Sequence, residues 1–326
     1  MKAISNSASG GVEVLKIVDR QIPEPGPSEI RVRVKASGLN RADILQRKGL
    51  YPAPPGFPAD IPGLEYAGEV DAIGSSSGLW AVGNRVMGIT GGGAHAEYIC
   101  VHEREAIRIP HNFSWEEAAA LPEVFLTAYD ALVLQLDVQV GERVLIHAIG
   151  SGVGTAALQL ARTAGAITFG TSRTPEKLER ALALGLDYAI DTSAEDWPRS
   201  VEKLTEGDGL HAIVDLVGGR TLGANLILLR ERGRMLIVGT VAGAKTDLDL
   251  GLLLRKRLKV MGTVLRSRPL EEKISLARSF SEAVLPLFGA GRIKPVLDTA
   301  YSFKDVAKAH RQMEENRSFG KIVLVW

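Results

Sequence analysis

Three glycines alternate with other residues in Gly150-Ser151-Gly152-Val153-Gly154, directly after the apolar run Arg143 to Ala148 and directly before the small-residue stretch Thr155 to Ala164. A strand that turns tightly into a helix presents unpaired N–H groups to an anion, and glycines let a pyrophosphate approach the backbone closely. Gly152-x-Gly154-x-x-Ala157 fits the dinucleotide fingerprint in its proper setting, which makes Ser151, Gly152, Val153 and Gly154 candidate phosphate contacts. An acid about 20 positions further on would hold the ribose 2′-hydroxyl of NAD. Residues 170–177 read Gly-Thr-Ser-Arg-Thr-Pro-Glu-Lys instead, so Ser172, Arg173 and Lys177 offer a hydroxyl, a guanidinium and an ammonium to a 2′-phosphate. Charge-assisted bonds are worth about 1.5–3 kcal/mol, which predicts a preference for NADPH on the order of a hundredfold. A solvated loop is the competing reading of Arg173 and Lys177.

Positioning such a turn requires strands and helices in alternation. After the glycine turn, strand candidates at 167–170, 189–191, 212–216, 235–239 and 259–264 alternate with helical stretches, the pattern of a doubly wound parallel sheet. The region before Pro122 has another rhythm. Ile30, Val32, Val34 and Ala36 alternate with Arg31, Arg33 and Lys35, and the apolar segments 66–73, 85–89 and 96–101 are separated by glycine clusters. This predicts a bent antiparallel sheet or partly open barrel. After Arg268 the spacing predicts one amphipathic helix through Leu287, a second from Asp305 to about Glu315, and a final strand from Lys321 to Val325. The expected domains are 1–122 with 268–326, and 123–267.

The 326 residues are too many for one hydrophobic core, and 39 basic against 38 acidic side chains leave a net charge of +1. That balance gives no field to attract nucleic acid, whose binding is not expected, and points to small neutral ligands. No apolar stretch approaches the length of a membrane span and the N-terminus does not read as a signal peptide, so a cytoplasmic protein without membrane association is expected. Cys100 is the single cysteine, which excludes an intrachain disulfide framework and any multi-cysteine metal site.

Ser151 to Arg162, Ala36 to Asp43 (Ala-Ser-Gly-Leu-Asn-Arg-Ala-Asp), Pro62 to Gly68 (Pro-Gly-Leu-Glu-Tyr-Ala-Gly), Val264 to Arg268 and Phe319 to Val323 together resemble the medium-chain quinone oxidoreductases, most of all their p53-inducible subgroup. The resemblance covers nearly the whole chain. It implies a GroES-like β-rich catalytic domain, a Rossmann domain and a homodimer. Zinc alcohol dehydrogenases of the same superfamily carry a cysteine where this chain has Asn40 and a histidine where it has Leu64, and a four-cysteine lobe that a single cysteine cannot build. No zinc is therefore expected, nor a flavin, and each of the six histidines is expected at the surface or hydrogen-bonded.

Without a zinc Lewis acid, the substrate must itself accept hydride readily, as quinones and enones do. The expectation is hydride transfer from NADPH in an apolar cleft between the domains, with donors meeting the developing oxyanion. By resemblance, Asn40, Asp43 and Tyr51 line that cleft, Asn40 or the Tyr51 hydroxyl donating to the substrate oxygen. The alternatives are a turn residue for Asn40, a cap or an ion pair with Arg41 or Arg47 for Asp43, and a packing aromatic for Tyr51. The resemblance adds Thr127, Val217, Gly239, Val264, Leu265, Arg266, Phe319, Gly320 and Lys321 as cofactor contacts, with Thr192 at the end of the third strand. Plain alternatives are strand core for Val217, a strand end for Gly239 and a solvated edge charge for Lys321. Reduction of an enoyl thioester or alkenal double bond is the nearest competing activity, and a cofactor-binding protein with little turnover is a more distant one.

Overall fold

The alternation along Glu29–Leu39 produces a strand that buries Ile30, Val32, Val34 and Ala36, while Arg31 on its other face bonds to Asp71. The structure, a computed structural model, describes residues 1–193 and 196–326. It divides into two units, residues 1–126 with 265–326, and residues 127–264.

In the first unit Glu29–Leu39 is the hub. It pairs antiparallel with Glu65–Ile73, with Tyr98–His102 and, from the far end of the chain, with Lys321–Val325. The sheet runs in the order Leu297–Ser302, Lys321–Val325, Glu29–Leu39, Glu65–Ile73, Arg85–Ile89 and Ile107–Arg108. One core beneath it joins Ile4, Leu39 and Ile44 to Val306, Met313 and Ile322. Each such side chain contributes about 1.5–3 kcal/mol when fully buried, so the chain's two ends are held together mainly by apolar packing.

The helix expected through Leu287 is two: Leu270–Ala283 and Leu285–Gly289. Pro286 has no N–H to continue the ladder, and its ring crowds the preceding turn, which explains the break.

The second unit is a six-stranded parallel sheet in the order Tyr188–Asp191, Ile167–Ser172, Arg143–Ile146, Leu210–Asp215, Leu229–Ile237 and Lys259–Gly262. Numbered along the chain this is 3-2-1-4-5-6, the doubly wound order, and the first and fourth strands flank the point where the winding reverses. Leu145, Phe169, Ile213 and Met235 fill its core. Ligands of such sheets bind beyond the carboxyl ends of the strands at that point. Among the described residues no helix is long and apolar enough to cross a membrane.

His310, in the first unit, is fully buried and its Nδ1 lies 3.1 Å from the Arg47 guanidinium. Burial, aided by the charge of Arg47, pushes its pKa down to about 3. The native state therefore refuses a proton that the unfolded chain accepts below about pH 6.5, so this histidine's contribution to stability is complete above 6.5 and shrinks as pH falls toward 3. The His310 ring is expected not to titrate between pH 8 and 5 when followed by NMR. A midpoint near 6.5 would contradict its buried neutral state.

Candidate active site

The strand Arg143–Ile146 ends in a turn at which Ala148 takes a left-handed φ of 49°, an uncommon conformation for a residue with a side chain. The helix Gly152–Thr163 then begins three residues earlier than its apolar spacing suggested. Ser151 is its N-cap, accepting from the Gly154 N–H at 3.0 Å. A Cβ on Gly154 would lie 2.5 Å from the Ala148 carbonyl oxygen and 2.7 Å from that of Ile149, so only glycine lets helix and strand end approach this closely. Gly152 and Val153 remain partly exposed on the first helical turn, where N–H groups lack intrahelical partners.

At the end of Ile167–Ser172, the Ser172 hydroxyl accepts from the Thr174 N–H at 3.0 Å and Arg173 is exposed. Lys177 is half-buried in the helix Pro175–Ala183, and the Thr192 N–H donates to the Ser172 carbonyl at 2.9 Å. The fourth strand leads into Val217, which lies in a loop and not in strand core. Asp215 holds that loop by accepting from the N–H groups of Val217 and Gly218 at 2.8 and 2.9 Å. Gly239 follows the fifth strand, its N–H directed at the Asp215 carbonyl oxygen. Thr127 is buried, and Val264 is exposed at the end of this unit.

A network that the sequence reading missed ties these loops together. Asp215 also accepts from the Thr221 hydroxyl and the Asn225 amide at 2.8 and 3.0 Å. Asn225 Oδ1 and the Thr171 hydroxyl flank the two ring nitrogens of His147 at 2.8 and 2.9 Å. His147 is buried, and burial holds its pKa below the ordinary imidazole value. A neutral imidazole between two polar partners thus links the residue before the glycine turn, the end of the second strand and the loop after the fourth. Asp215 at a strand end was the available signal.

In the first unit, Asn40 precedes the helix Arg41–Arg47 and its N–H donates to Asp43 Oδ2 at 2.8 Å. Asn40 Nδ2 donates to Glu65 Oε1 at 2.8 Å, and Asn40 Oδ1 accepts from Lys321 Nζ at 2.8 Å. Lys321 also donates to the Leu39 carbonyl at 2.8 Å and to Glu65 Oε1 at 2.5 Å. The other Glu65 oxygen accepts from the backbone N–H of Glu123 at 2.8 Å. Tyr51 is half-buried beneath the Arg266 guanidinium, 4.9 Å from its ring centre, and burial raises its phenol pKa against the opposing charge of Arg266.

Three of the expected site residues are held by partners within the first unit. Asp43 does not line an open surface: it is fully buried, and its second oxygen accepts from the Gly63 N–H at 2.9 Å. Burial alone would raise its pKa, but His95 and the two backbone donors outweigh that and hold it below the ordinary value. It acts as a cap that fixes Asn40, with no pairing to Arg41 or Arg47 needed. Arg266, expected at the cofactor, is 6% exposed and donates to the carbonyls of Gly91 and Tyr51 and to Gln46 Oε1. Lys321, likewise expected at the cofactor, is spent inside the unit on Glu65 and Asn40. The physical reason is common to all three, since a buried charge must be matched by local partners. Leu265, Phe319 and Gly320 are buried in this unit as well.

Leu64 is a buried hydrocarbon and both ends of the Asn40 amide are engaged. Among the described residues no group of three or more histidine, cysteine, aspartate or glutamate side chains is placed to share an ion.

A β-rich unit with a buried polar cluster, and a doubly wound unit with a phosphate-type glycine turn, define an oxidoreductase of the two-domain dehydrogenase class. Residues 26–111 match the alcohol dehydrogenase GroES-like domain, and residues 152–282 match the zinc-binding dehydrogenase domain. The chain is 35% identical to a quinone oxidoreductase of Pseudomonas aeruginosa over 99% of both sequences. The structure of the Escherichia coli quinone oxidoreductase complexed with NADPH superposes with a TM-score of 0.91 at 32% identity, covering 100% of both chains. That of CurK enoyl reductase gives 0.89 at 27%, over 99% of this chain and 98% of the other. The chain belongs to the quinone oxidoreductase family of the medium-chain dehydrogenases/reductases.

Proposed function

We propose that the protein reduces quinones with NADPH and without a metal ion, as a homodimer. The observation that carries the cofactor choice is the end of the second parallel strand, where Arg173 is exposed beside Ser172 and Thr174 and residues 170–175 contain no acid. The residues present fit the dinucleotide. Gly154 permits the close approach, Gly152 and Val153 offer first-turn N–H groups to the pyrophosphate, and Asp215 shapes the Val217–Gly218 loop. NADPH, when bound, supplies the hydride. In the first unit, Tyr51 is the group we assign to the substrate oxygen, since the Asn40 amide is committed to Glu65, the Gly38 carbonyl and Lys321.

Exchanging Arg173 for aspartate is expected to lower the NADPH-to-NADH ratio of kcat/KM by about 10- to 100-fold, the worth of a lost charge-assisted bond and an added repulsion. An unchanged ratio would remove Arg173 from the 2′-phosphate site. The activity itself is tested by NADPH oxidation with metal-stripped protein, comparing 1,4-benzoquinone and 9,10-phenanthrenequinone with an enal and an enoyl thioester. Quinone turnover supports the proposal. Activity confined to the enal or thioester would favour the double-bond reductase reading, which the likeness to CurK enoyl reductase supports. Binding without turnover would indicate a cofactor-binding role.

A further inference from the structure

Glu123, in the first turn of the helix Pro122–Tyr129, was not among the candidate residues. Its backbone N–H donates to Glu65 Oε2 at 2.8 Å, the charges of Glu65 and Lys321 both act on its carboxyl, and it is partly exposed while Glu65 is wholly buried. The two carboxyls have different electrostatic situations. Lys321 has three ammonium hydrogens, and the structure directs them to Leu39 O, Asn40 Oδ1 and Glu65 Oε1. Lys321 thus spends its hydrogens on the Leu39–Asn40–Glu65 cluster, and Glu65 and Glu123 are two carboxyls acting on each other beside it. Two neighbouring carboxyls disfavour each other's ionisation, and the effect is strongest where water is excluded. Asp43, held below the ordinary carboxylate range and buried, adds to the repulsion, while Lys321 and Arg266 oppose it, and Tyr51 lies in the same field.

From this arrangement we propose that Glu123 is the proton donor of the reduction, delivering its carboxyl proton to the substrate oxygen. The inference rests on the reductase reading above. A quinone gains two electrons and one hydrogen with the hydride, and needs one further proton to become the hydroquinone. The Glu123 O–H bond breaks as the new O–H bond forms on the substrate, and the resulting carboxylate recovers a proton from water. Burial, then the charge of Glu65, push the Glu123 pKa up to about 8, so the acid form is available at neutral pH.

The test combines kinetics with infrared titration of the intact protein. Wild-type kcat for a quinone is expected to fall as pH rises through about 8, where the acid is lost. E123Q should lower kcat by about 10²-fold or more, with KM for NADPH unchanged and that pH limb abolished. E123D should restore part of the rate and the limb. A protonated-carboxyl C=O band that disappears above about pH 8 and is missing from E123Q would show the stored proton directly, whatever the fold stability of the variants. Retention of wild-type kcat and pH profile by E123Q, or absence of that band at pH 7, overturns the assignment while leaving the reductase reading intact. No turnover of any acceptor by the wild type would remove both.

Discussion

Replacing Lys321 with methionine is expected to destabilise the β-rich unit by about 3–5 kcal/mol, the usual cost of leaving one member of a buried ion pair without its partner. The side chains of Lys321 and Glu65 are 4% and 0% exposed, so water cannot replace the lost bond. Glu65 would keep the Asn40 amide and the Glu123 N–H but lose its cation. Asn40 would lose the donor on its Oδ1, so the substituted protein should show looser kinetics as well as lower stability. Urea unfolding of K321M measures the first effect, and the double variant E65Q/K321M supplies the control. Because both partners are then uncharged, its loss should fall well below the sum of the single losses. A loss under about 1 kcal/mol for K321M would mean that the pair behaves like a solvated surface bridge.

The second large effect is expected at Gly154. Valine there would drive its Cβ into the carbonyl oxygens of Ala148 and Ile149, both backbone atoms that cannot swing aside. Relief requires the helix Gly152–Thr163 to move away from the strand end, and with it the N–H groups proposed to meet the pyrophosphate. A displacement near 1 Å can cost about 10²-fold in a positioned site, so NADPH affinity should fall by at least about that factor. Gly223 provides the contrast, since a Cβ there meets nothing within 4 Å and the residue is exposed in the helix Leu222–Leu228. G223A should leave NADPH binding unchanged and stabilise by up to about 1 kcal/mol through helix propensity. Equal NADPH affinity in G154V and wild type, measured by fluorescence titration, would show that the turn does not hold the cofactor.

Much of the architecture was legible because it is written in short-range periodicity. Alternation at Ile30 to Ala36 encodes a half-buried strand, and an apolar run followed by Gly152, Gly154 and Ala157 encodes a strand, turn and helix. Pro286 is a local signal of the same kind, since a proline interrupts a helix whatever the apolar spacing around it. The Ser151 cap is equally local, although the sequence analysis assigned Ser151 only to the phosphate.

The sequence by itself determined the two rhythms of the chain, the family resemblance, the absence of a cysteine framework and the glycine turn, because each depends on neighbours a few residues apart. Only the tertiary structure decided that Lys321 meets Asn40 across 281 positions and Glu65 across 256, that Asp215 and His147 join three loops, and that the Glu123 N–H donates to Glu65. Whether a lysine near a strand end is a solvated charge or a buried partner depends on what the sheet places opposite it. That pairing is set by the closing of distant strands around a common core, a contact that no local pattern records.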